Sequence, residues 1–284
     1  MVLQWYPGHM NKAKNQVQDR LKQVDIVLEI VDARLPFSSR NPVLEDIIGQ
    51  KKHIIILNKS DLADPQRTKE WKLSFQQEGL AVIDLDAKHT NALGKINSAI
   101  RRELSEKIAK YENNGVKNYQ IKAMCVGIPN VGKSTILNKM VGKNVAVTGN
   151  KPGVTKNQNW LKTSVGIDLL DTPGILWPKI DDNRVGLKLA LSGAIKDQIF
   201  APDDVAIFAL SFLESFYLDS LLTVYNIEPN DLRNKTTPDI LMFLTNKFGY
   251  KDDYDRAARK IINDVRKLKF GSVTFDVPGE FYEE

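Results

Sequence analysis

The segment Gly127-Ile-Pro-Asn-Val-Gly-Lys-Ser-Thr135 sets two glycines, a lysine and two hydroxyl side chains between the apolar run Ile121 to Val126 and Ile136-Leu-Asn-Lys-Met140. A short buried strand that turns through a glycine-bounded loop into a helix brings backbone N–H groups and the positive helix end to one point, where an anion can sit. The G-x-x-x-x-G-K-S spacing makes that anion a nucleotide phosphate. Gly127 and Gly132 let the backbone wrap closely, and Asn130, Val131 and Thr135 complete the cradle. Lys133 can reach the β- and γ-phosphates, and the Ser134 hydroxyl can ligate Mg2+.

A second group of residues selects the base. Asn58-Lys-Ser-Asp61 follows the apolar strand His53 to Leu57. The Asp61 carboxylate can accept two parallel hydrogen bonds from the N1–H and exocyclic amino group of guanine, which adenine does not offer. Asn58 can brace the loop while the stem of Lys59 covers a ring face. The bland alternative is a helix N-cap at Ser60 or Asp61. The turn Asp86-Ala87-Lys88 can bring backbone N–H groups to the guanine O6. Beyond the phosphate loop, Thr148 to Thr155 is rich in turn formers. Thr155 there is the natural second hydroxyl ligand of Mg2+, in a switch that orders around a γ-phosphate. In Asp171-Thr-Pro-Gly174, Asp171 is placed to hold Mg2+ through water, and Gly174 turns a backbone N–H toward the γ-phosphate.

These residues need strand ends and turns to carry them. Apolar positions Met10, Ala13, Val17, Leu21 and Val24 recur at helical spacing. Buried strands are predicted at Asp25 to Val31, His53 to Leu57, Leu80 to Ile83 and Ile121 to Val126, with two hairpin-like strands at Asn159 to Thr163 and Ile167 to Leu170. Helices are predicted at Val43 to Ile48, Pro65 to Glu78 and Leu93 to Lys110, and Tyr111 to Asn118 reads as a linker. From Arg184 the pattern is helical: Arg184 to Ile195, Pro202 to Tyr217, Ser220 to Tyr225, Pro238 to Phe248 and Asp255 to Leu268. In the last of these, Ala258, Ile261, Ile262, Val265 and Leu268 form a core stripe, leaving Arg259, Lys260, Arg266, Lys267 and Lys269 available elsewhere. The expected architecture is α/β: a mostly parallel sheet flanked by helices over residues 1–178, then a small all-α domain over 179–284.

Composition narrows the class. With 284 residues, 42% of them hydrophobic and 26% charged, the chain is long enough for roughly two domains of ordinary globular character. No apolar run approaches the roughly 20 residues that span a bilayer, so no membrane role is expected. The N-terminal stretch lacks the pattern of an export signal, and a cytoplasmic location is the expectation. Cys125 is the single cysteine, which excludes an internal disulfide or a cysteine-rich zinc site. His9, His53 and His89 follow no metal-ligand spacing. The net charge of +5 leans toward a polyanionic partner without specifying one.

The base-reading Asn58 to Asp61 and Asp86 to Lys88 precede the phosphate-binding Gly127 to Thr135, Thr155 and Asp171 to Gly174, an inverted order of the motifs of the small-GTPase superfamily, which these segments resemble. That order is a circular permutation, which close-lying termini make physically possible. Together with Trp5-Tyr-Pro-Gly-His-Met10, Asp32-Ala-Arg34 and Ser39-Arg-Asn-Pro42, they resemble the ribosome biogenesis GTPase A family of bacteria. The resemblance implies a circularly permuted P-loop GTPase that binds GTP and GDP with Mg2+, uses Lys133 and Thr155 in catalysis, and acts late in assembly of the large ribosomal subunit. The subunit and its rRNA are the implied partners, and DNA is not. The position after Gly174, where Ras-like enzymes carry a water-orienting Gln, is Ile175. The resemblance implies His9 as the replacement; read locally, the Pro-Gly-His turn is equally compatible with a packing or RNA contact. It also implies a potassium ion beside the phosphates, held in part by Asn130, whose carbonyl could equally cap the turn. Two other classes compete: a nucleotide-gated RNA-binding scaffold with incidental turnover, and a P-loop kinase, which the guanine-selecting Asn58 to Asp61 disfavours.

Overall fold

A computed structural model describes residues 3–4, 9–143, 160–176, 179–180 and 182–280, apart from the side chains of residues 3–4, 9–13, 16 and 179. The chain divides into two compact units, one of Gln4–Lys179 joined by the chain from Asp276 onward, the other containing Ile180–Phe275. The sequence reading places residues 179–284 in the helical domain; here Asp276, whose carboxylate accepts the Ser38 amide, groups with the unit of the sheet.

The first unit is built on six strands: β1 (Ile26–Asp32), β2 (His53–Asn58), β3 (Ala81–Leu85), β4 (Ile121–Val126), β5 (Trp160–Lys162) and β6 (Ile167–Asp171), in the sheet order β3-β2-β1-β4-β6-β5. All pairs are parallel except β5 with β6, which run antiparallel. Every residue of β1 is buried, as befits a central parallel strand covered on both faces. The chain proceeds outward from β1 to β3, then jumps back to lay β4 on the other side of β1. Ligands of open α/β sheets bind at such a reversal, beside the carboxyl ends of the strands. Here the register aligns Asp32 with Asn58, Asn58 with Leu85 and Cys125 with Asp171, so the predicted site segments leave the sheet along one edge.

Helices α1 (His9–Leu21), α2 (Pro42–Ile48), α3 (Pro65–Gln77), α4 (Ala92–Glu103), α5 (Ser105–Asn113) and α6 (Lys133–Val141) belong to this unit. The single helix expected over Leu93 to Lys110 is two, separated at the buried Leu104, and the expected linker begins as helix, since α5 continues to Asn113. No glycine or proline announces that break, and the residue at it, Leu104, is buried. The junction itself is anchored at the opposite edge of the sheet. Asp25 accepts hydrogen bonds from Lys107 Nζ at 2.6 Å, the Tyr119 hydroxyl at 2.8 Å and the Lys122 amide at 2.8 Å. One carboxylate thus binds the start of β1, the linker and the start of β4, the place where a permuted chain must be joined.

The second unit holds α7 (Asn183–Ser192), α8 (Pro202–Phe216), α9 (Leu218–Tyr225), the short α10 (Pro229–Leu232), α11 (Thr237–Lys247) and α12 (Tyr254–Arg266). Helix α12 ends before Leu268, which adopts a positive φ of 58° beyond the helix, so the predicted stripe is carried by Ala257, Ala258, Ile261, Ile262 and Val265 instead. No single described helix is long and apolar enough to cross a membrane. The pair α8 and α9 passes that test only jointly, across a 117° bend.

Around the sheet, one core cluster joins Val17 of α1, Leu44 and Ile48 of α2, Val126 and Ile175. Asn41 fastens the same region through two different atoms: Oδ1 accepts the Val43 amide at 3.0 Å to cap α2, and Nδ2 donates to the Ile175 carbonyl at 2.7 Å. Asn41→Asp keeps the cap acceptor and removes only the donor. It is expected to lower the unfolding free energy by about 1–3 kcal/mol, because the buried Ile175 carbonyl then faces an acceptor. Urea melts without nucleotide measure this, and an unchanged midpoint would assign the Ile175 link no stabilising role.

Candidate nucleotide site

The phosphate loop runs from the end of β4 into α6. Gly132 begins the helix at φ 100°, and a Cβ there would sit 2.2 Å from Asn58 Nδ2, so glycine is what lets the loop approach the end of β2. The approach is used: Asn58 Nδ2 donates to the Val131 carbonyl at 2.7 Å. Lys59, itself in a left-handed conformation at φ 61°, donates from Nζ to the Asn130 carbonyl at 2.7 Å and to Asp32 Oδ2 at 2.8 Å. Asn130 is also left-handed, at φ 64°. Two non-glycine residues in this sparsely populated region, on facing loops joined by short hydrogen bonds, are strain held in place by the surroundings.

Asp32 is the residue whose role the sequence did not disclose. Its carboxylate is buried and accepts Arg34 Nε at 2.9 Å and Arg34 Nη2 at 2.7 Å besides Lys59. Burial alone would raise this carboxyl, but the adjacent Arg34 and then Lys59 outweigh it and hold Asp32 far below the ordinary carboxylate range. The available signals were its position at a strand's carboxyl end, ahead of a polar loop, and its place in the Asp32-Ala-Arg34 segment that carries the family resemblance.

The remaining base-reading residues meet as expected in part. Ligand atoms of Asp61, Asp86 and His89 lie within 4.8 Å of one another, which brings the Asn58 to Asp61 segment against the turn after β3. Asp61 is exposed on the 3-10 turn Ser60–Leu62, near enough to Arg34 to act on its charge. Asp86 caps its own turn, accepting the amides of Lys88 at 3.0 Å and His89 at 3.1 Å. The Lys88 amide is thus committed within the turn, which leaves the buried Ala87 as the member of the triplet not used by Asp86.

On the phosphate side, Lys133 is buried and donates to the carbonyls of Gly127 and Ile128, each at 2.9 Å. Ser134 and Thr135 follow in the first turn of α6, both half-buried. Asp171 ends β6, buried, close enough to Lys133 to act on its charge. The Thr172 hydroxyl donates to the Cys125 carbonyl at 2.6 Å and the Ile175 amide to the Gly127 carbonyl at 3.3 Å, which lays Asp171 to Ile175 along the loop. A Cβ on Gly174 would lie 2.9 Å from the Pro129 nitrogen and 3.1 Å from Lys133 Nζ, so only glycine admits this closeness. Ile175 itself is 2% exposed and packs into the core, where it cannot orient water. Ser134 and Asp171 offer the hard oxygen donors that Mg2+ prefers, beside an anion-binding loop, and so fit that ion. Thr155 and the His9 side chain lie outside the described residues; His9 is the first residue of α1.

Comparison with known proteins agrees with this geometry. The model of the 50S ribosome-binding GTPase family matches residues 122–247, starting at the strand that feeds the phosphate loop. The chain is 43% identical to the ribosome biogenesis GTPase A of Bacillus cereus, over 100% of this chain and 97% of that protein. It is 31% identical to the mitochondrial ribosome-associated GTPase 1 of Mus musculus, over 97% and 90%. The crystal structure of GNP-bound YlqF from T. maritima superposes with a TM-score of 0.62 at 27% identity, covering 94% of this chain and 99% of that one.

Burial pushes the Lys133 ammonium down to about 8, against an opposing pull from Asp171. Polyphosphate binding favours the charged form, so above that pH nucleotide binding must take up a proton, and affinity falls as pH rises. Calorimetric titration with GDP in buffers of different ionisation enthalpy is expected to show uptake growing from a small fraction near about pH 7 to more than half a proton near about pH 8.5. Uptake that does not change with pH would remove Lys133 as its source. Taken with these relatives, the joined base and phosphate loops place the chain in the ribosome biogenesis GTPase A family, a circularly permuted P-loop enzyme that hydrolyses GTP.

Proposed function

We propose that this GTPase is an assembly factor that binds the large ribosomal subunit late in its maturation, in the cytoplasm, and is stimulated by it. The observation that carries the reading is that the chain joins a guanine-type nucleotide site to a separate helical unit whose last helix bears a cationic face. On that face Arg256 stacks over the Tyr250 ring at 4.2 Å, and Arg259, Lys267 and Lys269 are exposed around the same groove. Four of the five cations expected there are paired with carboxylates: Arg259 with Asp255, Lys269 and Lys260 with Asp264, and Arg266 with Asp197. Arg266 donates to the Leu191 and Ala190 carbonyls and pairs with Asp197, while Lys260 bridges Asp264 and the Phe248 ring. Exposed arginine and lysine beside an aromatic suit rRNA phosphates, whose recognition depends on cation density.

At the nucleotide, Asp61 reads guanine, the Ala87 amide meets O6, Lys133 and the Gly174 amide hold the terminal phosphates, and Ser134, Thr155 and, through water, Asp171 would hold Mg2+. When bound, that ion would supply neutralisation of the charge developing on the terminal phosphoryl group. Asn130 contributes to a potassium site. His9 orients the attacking water once the subunit docks. Two facts favour His9: Ile175 is committed to the core, and Val17 of the His9-bearing helix packs in the same cluster as Ile175.

Co-sedimentation with purified large subunits is expected to be strongest with a non-hydrolysable GTP analogue, weaker with GDP, and to weaken steeply as salt rises. A flat salt response would point to protein contacts in place of RNA. In single-turnover assays on the subunit, His9→Ala is expected to lose roughly 100-fold or more in rate while still pelleting. Hydrolysis at the wild-type rate would end the catalytic role, and an absence of subunit stimulation in the unmutated chain would leave a nucleotide-gated scaffold. Equal turnover in potassium and sodium salts would remove potassium from the mechanism.

A further inference from the structure

The polypeptide reaches Asp276 only after completing the helical unit, yet Asp276 belongs to the unit of the sheet. Its side chain is fully buried. Oδ2 accepts the amides of Phe37 at 2.8 Å and Ser38 at 2.7 Å, Oδ1 accepts the Ser38 hydroxyl at 2.6 Å, and the main-chain carbonyl accepts Trp71 Nε1 at 3.0 Å. A carboxylate withdrawn from water is costly unless its lone pairs are filled, and three short donors from two adjacent residues fill them. Such a contact fixes the residues that supply the donors as firmly as it fixes the carboxylate.

Those residues lie in the middle of the loop between β1 and α2, both ends of which reach the nucleotide site. At one end Asp32 holds Lys59, and the Ser39 hydroxyl stitches the loop closed, accepting the Asp32 amide at 2.9 Å and donating to the Leu35 carbonyl at 2.6 Å. At the other end Asn41 holds the carbonyl of Ile175, the residue after Gly174. Phe37 also stacks on Trp71, so the Asp276 carbonyl and carboxylate clasp the loop and α3 together. We propose that Asp276 is a positioning residue for the GTPase reaction: by docking on Phe37 and Ser38 it sets the loop that places Lys59 and the Gly174 segment against the nucleotide. Asp276 does this without touching the site itself. The inference concerns nucleotide binding alone and is independent of any ribosomal partner.

The test uses the full chain with Asp276→Ala and Asp276→Asn, reading the release rate of a fluorescent GDP, KM and kcat for GTP, and the thermal midpoint without nucleotide. Misplacement of a binding group by a fraction of an ångström is expected to speed GDP release and raise KM by about tenfold in Asp276→Ala, with kcat altered less than KM. Asp276→Asn keeps an oxygen for the Phe37 and Ser38 amides and is expected to return both readings to within about threefold of wild type. A merely structural anchor would lower the thermal midpoint and leave release and KM of the folded protein within about twofold of wild type, and that outcome overturns the proposal. Should Asp276→Ala fail to fold, Ser38→Ala decides, since it removes only the hydroxyl contact. Its expected effect is about threefold faster release, and an unchanged rate would equally overturn the assignment.

Discussion

The Lys59 ammonium, shared between the Asn130 carbonyl and the Asp32 carboxylate, is the contact on which the nucleotide site depends. It joins the loop proposed to read the base to the loop proposed to hold the phosphates, and Asn58 repeats the connection one residue earlier through the Val131 carbonyl. Isolated, each loop has its own conformational freedom to lose on binding a ligand. Tied together by the part-buried charge-assisted bonds of Lys59 and the buried neutral bond of Asn58, they present a single preformed surface, and the ordering cost is met in folding. The left-handed backbone at both Lys59 and Asn130 is the strain that this union carries.

Around that contact the loop from Asp32 to Asn41 acts as a hub. It is held from within by Ser39, from the sheet by the Asp32 and Arg34 pair, from the core by Asn41 and Ile175, and from the chain end by Asp276. Arg40 adds a further fastening. It approaches the buried Glu29, which also meets His53 Nε2 at 2.9 Å. Burial opposes ionisation of Glu29, yet His53 and Arg40 together keep its carboxyl below the ordinary range. The cluster is only partly satisfied, since Arg40 Nη2 is buried without a hydrogen-bond partner and is offset by its ion pair with Glu45 at 3.3 Å.

The permutation puts physical demands at the other edge of the sheet. Joining the halves through residues between α5 and β4 requires a tether there, and Asp25 provides it with three donors, reinforced by stacking of Tyr111 on Tyr119 at 4.3 Å. The nucleotide edge and the splice edge are thus organised by different carboxylates at opposite ends of β1. The helical unit spends charge in the same way. Of the basic residues on α12 and just beyond it, Arg266, Lys260, Arg259 and Lys269 pair with carboxylates, and Arg256 and Lys267 are exposed beside them.

Local chemistry was enough to place the loop Gly127 to Thr135 and the segment Asn58 to Asp61 at the ends of the strands that carry them, because each motif is contiguous and its spacing expresses a backbone requirement. The parallel sheet and the helical tail were legible from periodicity for the same reason. Composition and spacing did not reveal Asp32 as the partner of Lys59, the grip of Asn41 on Ile175, the return of Asp276, or the break at Leu104. Each depends on residues far apart in the chain, or on which side of a helix meets the core. Only packing decides such pairings: a carboxylate acquires its role from whichever donors burial brings to it, and nothing in the order of residues names those donors beforehand.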